Sequence, residues 1–165
     1  IPNTIPSNLL HYHFRGLVDG DGFWSISKNN NLSFGMVSPS YDFLFQFKSI
    51  IEKECNLHDT QIINDVENSG IYRLIYSGNL QCHKIADWIY QGDKYPCLER
   101  KYELVQNHLN WYAINYPDKY SKYLKKEKLN ENKEISNPII FGHKPKENPK
   151  ILSNLDRILG FGKTN

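Results

Sequence analysis

Residues 14–22 read FRGLVDGDG, a run of helical character that leads without a loop into two aspartates, Asp19 and Asp21, with Gly20 between them and Gly22 after. Such a segment must end a rigid helix at a carboxylate and change direction at once, because glycine lets the backbone turn sharply and approach its neighbours closely. A carboxylate fixed at the end of a rigid element is well placed to bind a hard divalent cation. The nonapeptide is therefore the candidate site. It occurs once, and the chain has no internal repeat.

The flanking pattern predicts the framework. Ser7 is the expected N-cap, after Pro6, of a helix over 8–19 with the stripe Leu9, Leu10, His13, Phe14 and Leu17, stopped by Gly20 and Gly22. Strands at 23–28 and 32–37 alternate, with Trp24 and Ile26 on one face and Ser25 and Ser27 on the other. Pro39 and Ser40 open a second helix to about residue 55, with Phe43, Leu44, Phe47, Ile50 and Ile51 inward. A second hairpin, 60–67 and 70–77, turns at 68–70, and helical spacing resumes at 80–90, 98–112 and 117–128. The expected class is α+β: a curved antiparallel four-stranded sheet in αββαββα order, helices on one face, extra C-terminal helices. Residues 1–128 form the expected domain. Residues 129–165 form a basic arm, broken by Pro138, Pro145 and Pro149, with a short helix at 151–159.

At 165 residues the chain is long enough for a core without disulfides, and Cys55, Cys82 and Cys97 form no CxxC pair, which points to a reducing interior. No stretch reaches transmembrane length and the opening lacks the order of a secretory signal, so a soluble intracellular protein is expected. The net charge of +2 is too mild to require a polyanionic partner, yet basic residues gather at 99–101, 122–128 and 142–150. The free sheet face would carry Ser25, Ser27, Asn29, Asn31, Ser33 and Arg73, side chains suited to base edges, while the basic segments suit phosphates. An ordinary solvated sheet or helix face has the same patterns. The histidines read as structural or surface residues, with His143 a phosphate contact in the arm. Tyr90, Trp111, Tyr112, Tyr120 and Tyr123 read as core.

Helix, FRGLVDGDG, FWSI, hairpin, helix, hairpin, helix and LERKYEL, over roughly residues 5–128, resemble the LAGLIDADG homing endonucleases. Gly16, Leu17, Asp19, Asp21 and Gly22 match the motif, Val18 is conservative, and Phe14, Arg15 and Gly20 depart from it. Calcium loops also contain DGDG, but they need further oxygen ligands where Trp24, Ser25 and Ile26 stand. The resemblance implies a site-specific DNA endonuclease making metal-dependent double-strand breaks at a long recognition site, as in intron or mobile-element homing. It implies that Asp21 and the Gly20 carbonyl hold Mg2+, for which Mn2+ can substitute, and that Asp19 is structural. It makes Lys101 the lysine supporting the catalytic water network, with Arg100 beside it among the DNA-contacting residues. It sets Phe14, Gly16 and Leu17 at a helix interface, so the implied partners are double-stranded DNA and a second copy of the chain, with no membrane and no small-molecule cofactor. Ser38 and Ser40 stand where some relatives carry Gln and Arg. The opening at Ile1 also resembles the start of the second half of two-motif relatives, which would mean an upstream half. Two rival readings are a non-cleaving nucleic-acid binder of the same fold, such as an RNA splicing maturase, and an ordinary α+β domain whose DGDG is a coincidence.

Overall fold

The computed structural model describes residues 1–2, 4–64, 70–92 and 96–124. The expected arm at 129–165, its helix, His143 and the boundary at residue 128 lie outside the described residues. Elements follow as α1 (Ser7–Asp21), β1 (Gly22–Ile26), β2 (Leu32–Ser38), α2 (Tyr41–Glu54), β3 (Ile62–Asn64), β4 (Tyr72–Ser77), α3 (Asn79–Ile89) and α4 (Glu99–Asn115). A further helical run occupies 117–124. The four strands form one antiparallel sheet in the order β1-β2-β4-β3, the expected α+β arrangement with both hairpins in place. No helix among the described residues is long and apolar enough to cross a membrane.

The chain divides into two units, the first Ile1–His108 and the second beginning at Leu109. In the first, one sheet face supplies Trp24, Leu32, Phe34, Met36, Leu74 and Tyr76 to a core closed by side chains of α1, α2 and α3. Phe14 stacks on Phe47 with ring centroids 4.8 Å apart, and Trp24 meets Phe34 at 4.6 Å. Ile26 shares that side of the sheet but lies exposed at the strand end. In the second unit Leu109, Tyr112, Tyr120 and Tyr123 are buried together, with Trp111 packed against them.

Several boundaries differ from expectation for local reasons. The N-cap of α1 is Pro6, whose carbonyl accepts from Leu9 N–H at 2.9 Å; Ser7 is the first helical residue and makes no capping bond. At the other end the helix continues through Gly20 to Asp21. Gly22 adopts extended backbone, and its value is steric: an added Cβ would lie 2.9 Å from the Val18 Cα and carbonyl oxygen. Strand β1 thus doubles back directly over the last helical turn. Ser40 caps α2 as expected, its side chain accepting from Phe43 N–H at 3.2 Å. Strand β3 starts later than expected because Glu52 Oε1 takes the Thr60 N–H at 2.7 Å.

A buried histidine pair ties the hairpin tip to the helices. His108 Nε2 lies 3.0 Å from the Asn30 carbonyl and His108 Nδ1 lies 3.1 Å from His83 Nε2. The carbonyl only accepts, so His108 donates from Nε2, and a single proton lies between His108 Nδ1 and His83 Nε2. This chain links α3, α4 and the β1–β2 turn. Burial, and then repulsion from His108, pushes the His83 pKa down to about 3.

An unfolded histidine titrates near 6.5. Between that value and about 3 the unfolded state binds the extra proton, so stability falls as pH falls through this window. From pH 7 to pH 5 His83 should cost about 2 kcal/mol. Urea unfolding at the two pH values should show this loss in wild type, and a smaller loss in His83→Phe; identical losses would contradict the assignment.

Candidate functional site

The end of α1 is held by the start of α4. Asp19 Oδ2 accepts the Leu98 N–H at 2.7 Å, satisfying a donor at the entrance to α4. Lys101 Nζ donates to the carbonyls of Val18 at 2.7 Å, Asp19 at 2.9 Å and Gly22 at 2.5 Å. Two of these acceptors lie in the last turn of α1; the Val18 carbonyl also takes the Gly22 N–H, and the favourable end of the helix dipole adds to the attraction of the ammonium. Three carbonyl acceptors call for three N–H donors, which only the ammonium form provides. Burial, then the neighbouring Arg100, lowers the Lys101 pKa, while Asp19 and Asp21 oppose the shift.

This clamp leaves Asp21 outside it. Its side chain is exposed at the last position of α1, with no hydrogen-bond or ion-pair partner among the described residues. The Gly20 carbonyl lies in the same turn and is not among the acceptors of Lys101. A carboxylate with its lone pairs unengaged beside a helix-end carbonyl is an all-oxygen donor set that fits Mg2+, which takes one or two carboxylates and keeps several waters. It is an incomplete set. Among the described residues no three His, Cys, Asp or Glu side chains cluster as metal ligands. Next to it a cleft of about 360 Å³ is lined by Gly20, Gly22, Phe23, Trp24, Arg100 and Lys101. Arg100 therefore stands at the cleft and not on the sheet.

Helix α1 has two faces where the sequence suggested one stripe. The core receives His11, Phe14, Arg15 and Val18. Phe14, expected at an interface between copies, is fully buried and committed to the chain's own core. Arg15 is buried as well: its Nε and Nη2 donate to the carbonyls of Ile89 at 2.9 Å and Gln91 at 2.8 Å, capping α3. The opposite face carries exposed Leu9, Gly16 and Gly20 with half-buried His13 and Leu17. A Cβ at Gly16 or Gly20 would meet nothing within 4 Å, so neither glycine is required by the chain's own packing.

The sheet's outer face is only partly the polar surface expected. Ser25, Ser33 and Ser77 form a cross-strand row, with Ser33 Oγ donating to Ser77 Oγ at 3.2 Å. The next row is Phe23, Gly35 and Ile75, and the next Val37, Arg73 and Ile63. Ser27 closes the turn, its N–H donating to the Asn31 carbonyl at 3.0 Å and its Oγ accepting the Asn31 N–H at 3.1 Å. Asn29 and Asn31 are exposed in that turn. The structure thus brings Ser25, Ser33 and Arg73 onto one surface, with the turn residues at its tip. Phe23, Val37, Ile63 and Ile75 were not among the expected site residues, although period-two alternation through Arg73 would have found Ile75.

The fold is that of the homing endonucleases. The archaeal intron-encoded homing endonuclease I-Vdi141I, solved in complex with DNA, matches with a TM-score of 0.51 at 13% identity, over 95% of this chain and 100% of that one. The homing endonucleases I-TnaI (TM-score 0.44, 18% identity, 90% of this chain and 97% of that one) and I-CvuI (0.46, 14%, 93% and 96%) were also found. No protein-family model and no curated protein matches the sequence.

Replacing the clamp should be measurable without any ligand. Lys101→Met removes three hydrogen bonds and should lower stability by roughly 3 kcal/mol in urea, with faster amide exchange at Gly22. Unchanged stability and exchange would contradict the clamp.

Proposed function

We propose that this chain is a LAGLIDADG-type site-specific DNA endonuclease that makes Mg2+-dependent double-strand breaks as a homodimer. The observation that carries the reading is the exposed Asp21 carboxylate, held rigidly at the end of α1 while every donor of Lys101 is engaged behind it. The fold shared with I-Vdi141I, a homing endonuclease solved on DNA, supports the substrate class. A protein that only bound nucleic acid, such as a splicing maturase, would have no use for this unpaired carboxylate.

Two copies of α1 meet along Leu9, Gly16, Leu17 and Gly20, where missing side chains let helix backbones approach. The contact brings one Asp21 from each copy beneath the same duplex. Each Asp21, with its Gly20 carbonyl, holds one divalent ion, Mg2+ or in its place Mn2+. The ion, when bound, supplies Lewis-acid stabilisation of charge on the phosphate. Arg100 faces the cleft beside this point and pairs with phosphate oxygens. Lys101 does not reach the phosphate; it is a positioning residue that keeps the Asp21 backbone from fraying. The serine row, the Asn29 and Asn31 turn and Arg73 face the groove, and dimer symmetry makes the target nearly palindromic. A long target of this kind suits intron or mobile-element homing.

A supercoiled plasmid carrying the joined flanks of the gene should be linearised by wild type with Mg2+ or Mn2+. Asp21→Asn should lower cleavage by at least about 100-fold while leaving duplex binding and the melting temperature unchanged, because the side chain is exposed and unpaired. A parallel loss of binding would contradict the assigned role.

A further inference from the structure

The outer sheet face is graded in chemistry along the strands, and the gradient has a direction relative to Asp21. Strand β1 leaves α1 at Gly22, opposite Met36, so the Val37, Arg73 and Ile63 row lies level with the end of α1. The Phe23, Gly35 and Ile75 row comes next, and the Ser25, Ser33 and Ser77 row is nearest the hairpin tip. The middle row is flat by construction. A Cβ on Gly35 would sit 2.3 Å from the Phe23 ring, so the ring lies directly across β2 where any other residue would lift it off. Phe23, Val37 and Ile75 are half-buried, and Ile63 is 58% exposed. Leaving such groups in water is unfavourable unless something apolar covers them.

Among the described residues the three rows contain the cation Arg73, and Lys28 stands at the turn. That charge suits a polyanion. In the major groove the only apolar group on a base edge is the thymine C5-methyl, and arginine is the side chain that pairs with guanine N7 and O6. Rows two residues apart are about 6.6 Å apart, or about two base pairs along a duplex.

We infer that this face divides its half of the recognition sequence in two: the inner part, nearest the cut, is read through thymine methyl groups by Val37, Ile63, Ile75 and Phe23, with Arg73 as its guanine reader. The outer part is read by hydroxyl and amide hydrogen bonds from the serine row and the turn. The inference rests on the endonuclease reading above and adds to it the base chemistry of the target.

The test selects duplexes from a random-sequence library with the full chain, in the absence of divalent cations. The selected duplex is then rebuilt with deoxyuridine replacing thymidine at one position at a time, which removes only the methyl group. Inner substitutions should weaken binding about fourfold each, and outer ones should have no effect. Ile75→Ala should abolish the uridine effect at its own position, and Arg73→Ala should lose about tenfold of the preference for guanine at one inner position. A selected duplex that tolerates uridine everywhere overturns the inference and leaves the endonuclease reading standing; this outcome needs no protein variant and so does not depend on folding. If no duplex is selected, both fall. If the face instead pairs with a second copy of the chain, seen as self-association lost in Ile63→Ser, the inference falls too.

Discussion

The Lys101 ammonium, set on three carbonyls at the junction of α1 and β1, is the interaction on which the site depends. A helix end normally frays, because its last carbonyls have no partners. Here α4 adds donors from one side chain to the α1 end that the Gly22 N–H already caps, and α1 returns the service: Asp19 accepts the Leu98 N–H at the start of α4. Each helix completes the other's end. The backbone at Gly22, pressed within 2.9 Å of Val18, is thereby fixed, and Asp21 is the one carboxylate of the motif left outside.

The same economy of contacts explains the second face of α1. Phe14, Val18 and Arg15 are turned inward and occupied, Arg15 by the end of α3. Gly16 and Gly20 point away from the core, and the space above them is open. Glycine inside a helix costs about 1 kcal/mol relative to alanine, so two on one exposed face suit a helix that another backbone approaches. In the proposed reading, that approaching backbone is the second copy, and the incompleteness of one chain's metal donors follows from it.

Much of this was legible in the sequence. The hairpins, the Ser40 cap, the α+β order and the special status of residues 14–22 follow from alternation, spacing and glycine placement, which are local signals. What was not legible is relational. Apolar and small residues lie on two faces of α1, and their spacing alone does not separate the face that receives Phe14 from the exposed face with Leu9, Gly16 and Gly20. Lys101 reads from sequence as a basic residue at a helix start, and nothing local reveals three carbonyl partners from residues 18–22. Arg15 likewise looks like a surface charge on an amphipathic helix until its α3 partners are seen. The apolar half of the sheet's outer face is set by strand register, which polar residues alone do not signal.

The central claim is that one chain supplies half of an active centre. Mixing active chain with Asp21→Asn at constant total concentration, and measuring the rate of double-strand cleavage against the active fraction, tests it most directly. If both Asp21 carboxylates are required, the rate should fall as the square of that fraction, with singly nicked plasmid accumulating from mixed pairs. A rate that falls linearly, with no such intermediate, would show that each chain carries a complete site and would contradict the account.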